Sequence, residues 1–212
     1  MNRVVMYHVA EQGDCISGIA ANYGFFPDTI WNHPENADLK STRKDPNILL
    51  PGDSVFIPDK KEKTESVATE KLHKFKRKGV PEYLSLCFMA NGVPRKGEKY
   101  TLNIDGKLSS GKLDGKGCCS APIPPGAQGG TITIGDPDAG DVYKLDLGHM
   151  DPIDTDSGVA GRLRNLGYAC SENPDADELA NAVKDFQADE KLSQKDGLDD
   201  ATRERLKKVH GS

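Results

Sequence analysis

The apolar residues at the start of the chain follow first a strand-like and then a helical spacing. Residues 7–9 form a short β-type run, and the series from Ile16 to Tyr23 repeats at i, i+3, i+4 and i+7, which is one face of a helix. A second short helix is predicted around Ile30, and the alternation at residues 55–57 predicts a closing strand. The predicted order of elements is therefore β-α-α-β.

The middle of the chain contains short alternating or β-branched runs separated by turn residues. Two dipeptides that favour hairpin turns, Asp105 with Gly106 and Asp114 with Gly115, lie between such runs. Pro122 lacks a backbone donor, which limits its run to a sheet edge or a loop. Strands are predicted over residues 83–88, 100–104, 130–134 and 142–147. We interpret this pattern as a small antiparallel β-sandwich or open barrel.

The last part of the chain changes to a helical periodicity. Ser157 is predicted as the N-cap of a first helix, and Asp199 as the N-cap of a third. The apolar faces consist of Val159, Leu163 and Leu166 in the first helix, Leu179, Ala182, Val183 and Phe186 in the second, and Leu206 and Val209 in the third. Three such helices predict a three-helix bundle around one small core.

Composition separates these parts from one another. Between residues 60 and 79 the chain is charged and poor in apolar residues, and such a segment cannot bury enough apolar surface to fold alone. The 212 residues are therefore predicted to form an α+β multidomain chain. Its parts are a βααβ module at 1–59, a charged linker at 60–79, a β-sandwich-like domain at 80–152 and a three-helix domain at 153–212.

Charge and apolar content narrow the choice of partners and location. The formal net charge of −5 gives no basis for binding nucleic acid or an anionic membrane, and the basic stretch at residues 71–78 is interpreted as a solvated linker. No apolar run approaches the roughly 20 residues that span a bilayer. The first ten residues lack the apolar stretch of a signal peptide. We therefore expect a cytoplasmic protein without membrane insertion.

The cysteines point to the same compartment. The sequence has five of them, Cys15, Cys87, Cys118, Cys119 and Cys170, and no two are spaced as a C-x-x-C pair. An odd number of cysteines without an export signal favours reduced thiols in the cytosol.

The first segment resembles the LysM family, whose members are small βααβ modules that bind glycans containing N-acetylglucosamine. The matching residues are Tyr7, His8, Val9, Gly13, Asp14, Ile19, Ala20, Tyr23 and Gly24, and then residues 47–53 with Val55, Phe56, Ile57 and Pro58. The chain departs from the family at residues 32–45, which form a longer passage than the usual one between the second helix and the second loop.

The LysM resemblance implies a glycan groove between two loops. Backbone groups of small residues there bond to the sugar acetamides, and apolar side chains pack on the sugar faces. The implied groove residues are Gly13, Asp14, Cys15, Ile16, Asn47, Ile48, Leu49 and Leu50. The alternative is that the glycines at 13 and 52 only serve turns.

The last segment resembles the peptidoglycan-binding three-helix domain that is often appended to wall hydrolases. The matching residues are Val159, Arg162, Leu163, Leu166, Gly167, Tyr168, Ala182, Val183, Phe186, Gln187, Gly197, Leu198, Asp199, Ala201, Thr202 and Leu206. The chain departs from the family at residues 171–178, which replace its usual approach to the second helix. The resemblance implies a second wall-binding module, so two weak sites would act together through their linkage.

The joint order of the three parts resembles a set of proteins associated with bacterial type VI secretion spikes. Residues 75–81, 147–152 and 210–212 carry this likeness. It implies that a contractile secretion machine delivers the protein to the periplasm, where peptidoglycan lies. A secretion spike or a toxin protein then becomes a candidate partner.

The spacing of reactive side chains does not support catalysis. No arginine of the transpeptidase type follows Gly117 and Cys118, and His149 lies downstream of this cysteine rather than upstream. The five histidines have neither HxxxH nor HExxH spacing, so no metal site is predicted. Asp189 and Glu190 are neighbours on a predicted helix and point apart. We expect no catalytic residue, no metal and no cofactor.

Three functional hypotheses remain open from the sequence. The leading one is non-catalytic binding of peptidoglycan glycan strands, as an accessory to type VI secretion or a similar contractile delivery system. The second is an adaptor or chaperone that docks a toxin onto the secretion spike and retains only vestigial sugar binding. The third is a cell-wall hydrolase with a site in the β-rich middle.

Overall fold

The computed structural model describes residues 6–60, 64, 66–74, 82–194 and 197–211. Within these residues the chain forms six α-helices and ten β-strands, and the strands pair in small antiparallel sheets. This mixture of helices and antiparallel sheets agrees with the predicted α+β class. Residues 75–81, which hold much of the predicted basic linker and one linking motif, lie outside the described residues, as does residue 212.

The first segment is a pair of strands connected by three helices. β1 (Met6–Val9) pairs antiparallel with β2 (Ser54–Ile57), and the chain between them forms α1 (Ile16–Tyr23), α2 (Pro27–Trp31) and α3 (Ala37–Arg43). The sequence predictions of both strands and of the first two helices are confirmed. The helix α3 is absent from the prediction and occupies the long passage at residues 32–45, where no apolar periodicity indicates a helix.

The core of the first segment is formed by both helices and strands. Ile16 and Ile19 of α1 are fully buried together with Val55 of β2, and Trp31 of α2 is 7 % exposed. Gly24 ends α1 with a φ of 74°, a left-handed conformation that favours glycine. The predicted role of Gly24 is therefore confirmed.

The described residues of the middle segment form strands and no helices. A four-stranded antiparallel sheet has the order β10-β9-β6-β7, and its strands are β6 (Lys99–Ile104), β7 (Lys107–Lys112), β9 (Gly129–Ile134) and β10 (Asp141–Asp146). The remaining strands pair as β3 (Glu82–Cys87) with β8 (Cys118–Ile123) and as β4 (Met89–Ala90) with β5 (Val93–Pro94). The four-stranded sheet and the β3–β8 pair share one core, which includes Leu102, Ala121 and Ile132.

The turn and edge predictions for the middle segment are correct in two cases and wrong in one. Asp105 and Gly106 form the turn between β6 and β7, both with positive φ, and Pro122 lies in β8, whose described partner is β3 alone. Asp114 and Gly115 do not form a hairpin, because they connect β7 to β8 and these strands belong to different sheets. The dipeptide determines a local turn, whereas core packing determines which strands pair.

The expectation of reduced cysteines is wrong for one pair. Cys87 and Cys118 form a disulfide, whereas Cys15, Cys119 and Cys170 are free thiols. The register of β3 and β8 places Cys87 directly opposite Cys118, although 31 residues separate them in the sequence. No spacing in the sequence indicates such a pair, because only the pairing of the two strands brings the side chains together.

The last segment consists of three helices, α4 (Asp156–Asn165), α5 (Ala176–Asp189) and α6 (Asp200–His210). They share one core, in which Val159, Leu163, Phe186 and Leu206 are fully buried. The prediction that Val209 faces this core is wrong, because its side chain is 37 % exposed at the end of α6. None of the helices in the described part of the chain is long and apolar enough to cross a membrane.

One of the two predicted caps in the last segment is wrong. Asp199 caps α6 as predicted, since its side chain accepts a hydrogen bond from the N–H of Thr202. The cap of α4 is Thr155 rather than Ser157, because the Thr155 hydroxyl accepts from the N–H of Gly158 at 3.0 Å. The helix begins two residues earlier than predicted, so Ser157 lies within its first turn.

Candidate functional site

The two loops predicted to form the glycan groove lie side by side. The backbone N–H of Ile16, at the start of α1, donates a hydrogen bond of 2.9 Å to the carbonyl oxygen of Pro46. This bond joins the loop at residues 13–15 to the loop at residues 45–50. The eight candidate residues are thus brought to one place, while their contact with sugar stays a prediction.

The eight candidate residues differ in their exposure to solvent. The four buried residues are Gly13, Ile16, Ile48 and Leu49. The three partly buried residues are Asp14, Cys15 and Leu50, and the exposed residue is Asn47. Ile16 and Leu49 belong to the core of the first segment, so their side chains serve packing. Asn47 is therefore the candidate whose side chain is open to an incoming ligand.

Asp14 is engaged by contacts within the first segment. Its Oδ2 lies 2.9 Å from His8 Nε2 and accepts a hydrogen bond of 3.0 Å from the N–H of Glu11. The other ring nitrogen of His8 lies 3.3 Å from the hydroxyl of Tyr23. Three residues of the LysM-like pattern thereby connect β1, the first loop and α1. Their presence in the pattern has a structural explanation that does not require a sugar.

Cys15 is the N-cap of α1. Its Sγ accepts a hydrogen bond of 3.4 Å from the N–H of Gly18. Burial is the main cause that raises the pKa of the Cys15 thiol, and the charges of Glu82 and Asp14 add to the rise. A thiol with a raised pKa stays protonated at neutral pH and is a weak nucleophile. Cys15 therefore acts as a cap and a packing residue.

The second loop is held by an ion pair that the sequence did not indicate. Arg43 at the end of α3 donates from Nε and Nη2 to the two carboxylate oxygens of Asp53 at 2.7 and 2.8 Å. The N–H of Leu50 donates to the same carboxylate at 2.9 Å. Burial acts to raise the pKa of Asp53, but the hydrogen bonds from Arg43 and Leu50 outweigh it and lower the pKa. Arg43 is the last residue of α3, and the apolar periodicity of the sequence does not predict this helix. The ion pair could therefore not be predicted either.

The middle segment lies against the first loop of the groove. A Cβ on Gly18 would lie 2.9 Å from the Cα of Gly126, so these two backbones are in direct contact. Gln128 Nε2 donates to the carbonyl oxygen of Gly13 at 3.4 Å. A Cβ on Gly148 would lie 2.5 Å from that same oxygen. Part of the predicted groove is therefore occupied by the protein's own middle segment.

In the last segment, several of the residues that carry the peptidoglycan-binding resemblance are buried. Gln187 is fully buried, and its Nε2 donates to the Thr202 hydroxyl at 2.9 Å. That hydroxyl donates to the carboxylate of Asp199 at 2.7 Å. The Oε1 of Gln187 has no hydrogen-bond partner among the described residues. Gln187 and Thr202 thus connect α5 to the start of α6. These two residues of the resemblance therefore have a structural role.

Two shallow cavities lie outside the predicted groove, and one of them is lined in part by Gln128, which contacts Gly13. One has a volume of about 450 Å³ and is lined by Tyr168, Asp185 and Asp189 among others. Burial, followed by the hydrogen bond that the hydroxyl donates to Asp189, raises the pKa of Tyr168 to about 12, so this side chain is neutral. The other cavity has a volume of about 550 Å³ and lies over Gly129 and Gly130 at the start of β9. Neither cavity is lined by a candidate groove residue.

Four histidines in the described ranges contact protein neighbours, namely His8, His33, His73 and His210. His33 stacks on Phe56 with ring centroids 4.5 Å apart and accepts a hydrogen bond of 3.2 Å from the N–H of Glu35. Across residues 6–60, 64, 66–74, 82–194 and 197–211, no group of three or more His, Cys, Asp or Glu side chains is arranged to hold a metal ion.

Comparison with known proteins does not assign an identity to this site. The chain matches no protein-family model, no curated protein and no solved structure. The functional conclusion therefore depends on the residues and their geometry, together with the resemblances in the sequence.

Proposed function

We propose that this chain is a non-catalytic peptidoglycan-binding protein that serves a contractile delivery system such as type VI secretion. The first segment binds N-acetylglucosamine glycans in the manner of a LysM module, and the last segment is a second wall-binding module. The observation that supports this proposal is the convergence of the two loops of the LysM-like pattern, through the hydrogen bond from Ile16 to Pro46. Two weak modules on one chain bind a polymeric wall more tightly than either does alone.

The chemistry of such a groove uses amide groups rather than charges. The acetamido group of the sugar has one N–H donor and one carbonyl acceptor, which match backbone groups of a loop. Asn47 adds an exposed side-chain amide at the second loop. The backbone N–H of Asn47 already donates to the carboxylate of Asp45 at 2.9 Å, so the side-chain amide, rather than this N–H, is available to bind sugar. Asn47 is therefore the residue whose replacement removes a sugar contact with the least effect on the fold.

The test is co-sedimentation of the full chain with isolated sacculi at low salt, with a soluble N-acetylglucosamine oligosaccharide as competitor. We expect binding that the oligosaccharide reduces, and binding about two- to tenfold weaker for Asn47→Ala, because one hydrogen bond is lost. Asn181→Ala replaces an exposed asparagine on α5 and is the matched control. Absence of co-sedimentation by the intact chain would contradict the proposal, and release of soluble fragments from labelled sacculi would contradict its non-catalytic part.

A second candidate function is an adaptor that docks a toxin onto the secretion spike. Two observations favour it: the first groove loop is in contact with the middle segment, and β1 leaves Tyr7 49 % and Val9 60 % exposed. Exposed apolar side chains close together are typical of protein contact surfaces. Co-purification of a spike or toxin protein from the native cell, lost on Tyr7→Ser with Val9→Ser and kept by Asn47→Ala, would support the adaptor over the wall-binding protein.

A further inference from the structure

The contact between the start of α1, directly after the first groove loop, and the middle segment is made by glycine backbones on both sides. A Cβ on Gly18 would lie 2.9 Å from the Cα of Gly126, and a Cβ on Gly126 would lie 3.0 Å from the Cα of Gly18. Glycine allows such an approach because it has no side chain. No sugar ring fits between two backbones at this separation.

A second contact involves the carbonyl oxygen of Gly13. Gln128 Nε2 lies 3.4 Å from this oxygen and 3.2 Å from the carbonyl oxygen of Gly126. The side chain of Gln128 ends in a planar amide that can donate an N–H to this oxygen, and the acetamido group of N-acetylglucosamine has one N–H that could do the same. Gln128 therefore engages a backbone acceptor that the predicted groove would offer to the sugar.

The contact covers one groove loop and leaves the other partly open. Gly13, Ile16 and Gly18 are buried, whereas Asn47 in the second loop is exposed. Asn47 in the second loop is thus accessible to solvent, whereas Gly13 and Ile16 in and beside the first loop are not.

We propose that the middle segment is a lid over the predicted glycan groove, and that glycan enters the groove only after residues 126–128 move away from α1. This inference rests on the proposed glycan function. In the closed form Gln128 takes the place of the acetamido group of the glycan. The apparent Kd for glycan is then the Kd of the open form divided by the fraction of molecules in which the lid is open. Minor conformations of a protein are commonly populated at about 0.1–10 %, so an opened variant binds glycan at least about tenfold more tightly.

Gly18→Ala is designed to open the lid. Gly18 lies in a helix, where alanine is favoured over glycine, and the atoms within 3.4 Å of the added Cβ belong to the backbone of Gly126. Gln128→Ala removes the amide and leaves α1 unchanged, so it tests the same contact without a clash. Gly161→Ala is the matched control, because it is also a helix position and its added Cβ meets the flexible side chain of Met150 at 3.3 Å.

Two measurements on the full chain test the lid. Alkylation of Cys15 by iodoacetamide, read on the Cys15 peptide by mass spectrometry, reports opening. Calorimetric titration with a soluble N-acetylglucosamine oligosaccharide reports binding. We expect Gly18→Ala and Gln128→Ala to alkylate faster and to bind at least about tenfold more tightly than the wild type, and Gly161→Ala to behave as the wild type.

The outcomes separate failure of the lid from failure of the glycan function. Equal oligosaccharide affinity in the wild type and both opened variants overturns the lid and leaves the glycan function intact. Unchanged alkylation of Cys15 in both variants also overturns the lid, because the contact then does not control access to the loop. Faster alkylation without binding by any variant overturns both proposals.

Discussion

Three sheets in the described part of the chain consist of two strands each, and two of them, β1 with β2 and β3 with β8, are supported by different chemistry. β1 with β2 and β3 with β8 both pair strands that are distant in the sequence, and an isolated two-stranded pair is marginally stable in water. The β1–β2 pair is supported by Asn36, whose Oδ1 accepts from the N–H of Phe56 at 2.7 Å and whose Nδ2 donates to the Phe56 carbonyl at 3.0 Å. The β3–β8 pair is supported by the disulfide between Cys87 and Cys118.

The two sheets depend on different chemical conditions. Asn36 is 1 % exposed and bonds to the backbone of β2 as a neighbouring strand would, which requires no oxidant. A disulfide forms in an oxidising compartment such as the periplasm and is rare in the cytosol. We therefore expect the first segment to have its full stability under reducing and oxidising conditions alike, and the middle segment to gain stability under oxidising conditions. The sole tryptophan, Trp31, lies in the core of the first segment and allows the two to be measured separately.

The largest effect is expected from removal of the disulfide. Cys118→Ser should lower the free energy of unfolding of the middle segment by about 2–4 kcal/mol, because the cross-link restricts the unfolded chain. Urea unfolding followed by circular dichroism, with and without reductant, measures this loss. The fluorescence transition of Trp31 should not move with reductant, and the Cys118→Ser variant should be insensitive to it. A reductant effect on the Trp31 transition as large as that on circular dichroism would contradict the comparison.

The next effect concerns the side chain that supports β2. Asn36→Ala removes the two hydrogen bonds to Phe56 and one of 2.9 Å to the carbonyl of Ile30. Because these buried backbone groups then lack partners, we expect a loss of about 1–3 kcal/mol in the Trp31 transition. Asn36→Asp keeps the acceptor but places a buried carboxylate oxygen against the carbonyl oxygens of Ile30 and Phe56, so it should cost at least as much as alanine at neutral pH. A transition that does not shift would show that β1–β2 needs no such support.

The ion pair of the second loop should give a smaller and pH-dependent effect. Arg43→Met should cost about 1–2 kcal/mol at pH 7, because the side chains of Arg43 and Asp53 are only 13 % and 12 % exposed. The pKa of Asp53 is lowered in the folded protein. The stabilisation is therefore present above the ordinary aspartate pKa of about 3.9 and is lost as pH falls through the lowered folded value. Unfolding of both proteins at neutral and strongly acidic pH should show the gap closing, and a constant gap would contradict this origin.

The smallest effect is expected at a polar pair on the surface of β3 and β8. Ser85 donates to Ser120 at 3.2 Å, and both side chains are exposed. Ser85→Ala should change the unfolding free energy by less than about 0.5 kcal/mol, because water replaces the lost partner. The same urea titration measures it. A loss comparable to that of Cys118→Ser would show that side-chain hydrogen bonds, rather than the disulfide, support this sheet.

The groove illustrates how far a sequence pattern leads toward a site. The pattern places residues 13–16 and 47–50 in two loops, and these loops do meet through Ile16 and Pro46. It does not reveal that Gly18 touches Gly126 or that Gln128 reaches Gly13, because these contacts join residues more than a hundred positions apart. A small residue in a loop permits close approach, and the sequence does not say whether a ligand or the protein itself approaches.

What the sequence determined by itself is local. The strands β1 and β2, the helices α1 and α2, the left-handed end at Gly24 and the cap at Asp199 follow from periodicity and from the backbone preferences of single residues. The tertiary structure alone decided the β3–β8 partnership, the disulfide of Cys87 with Cys118 and the cover over the first groove loop. Each of these depends on residues that meet only after the chain has packed, and no spacing within a short window records such a meeting.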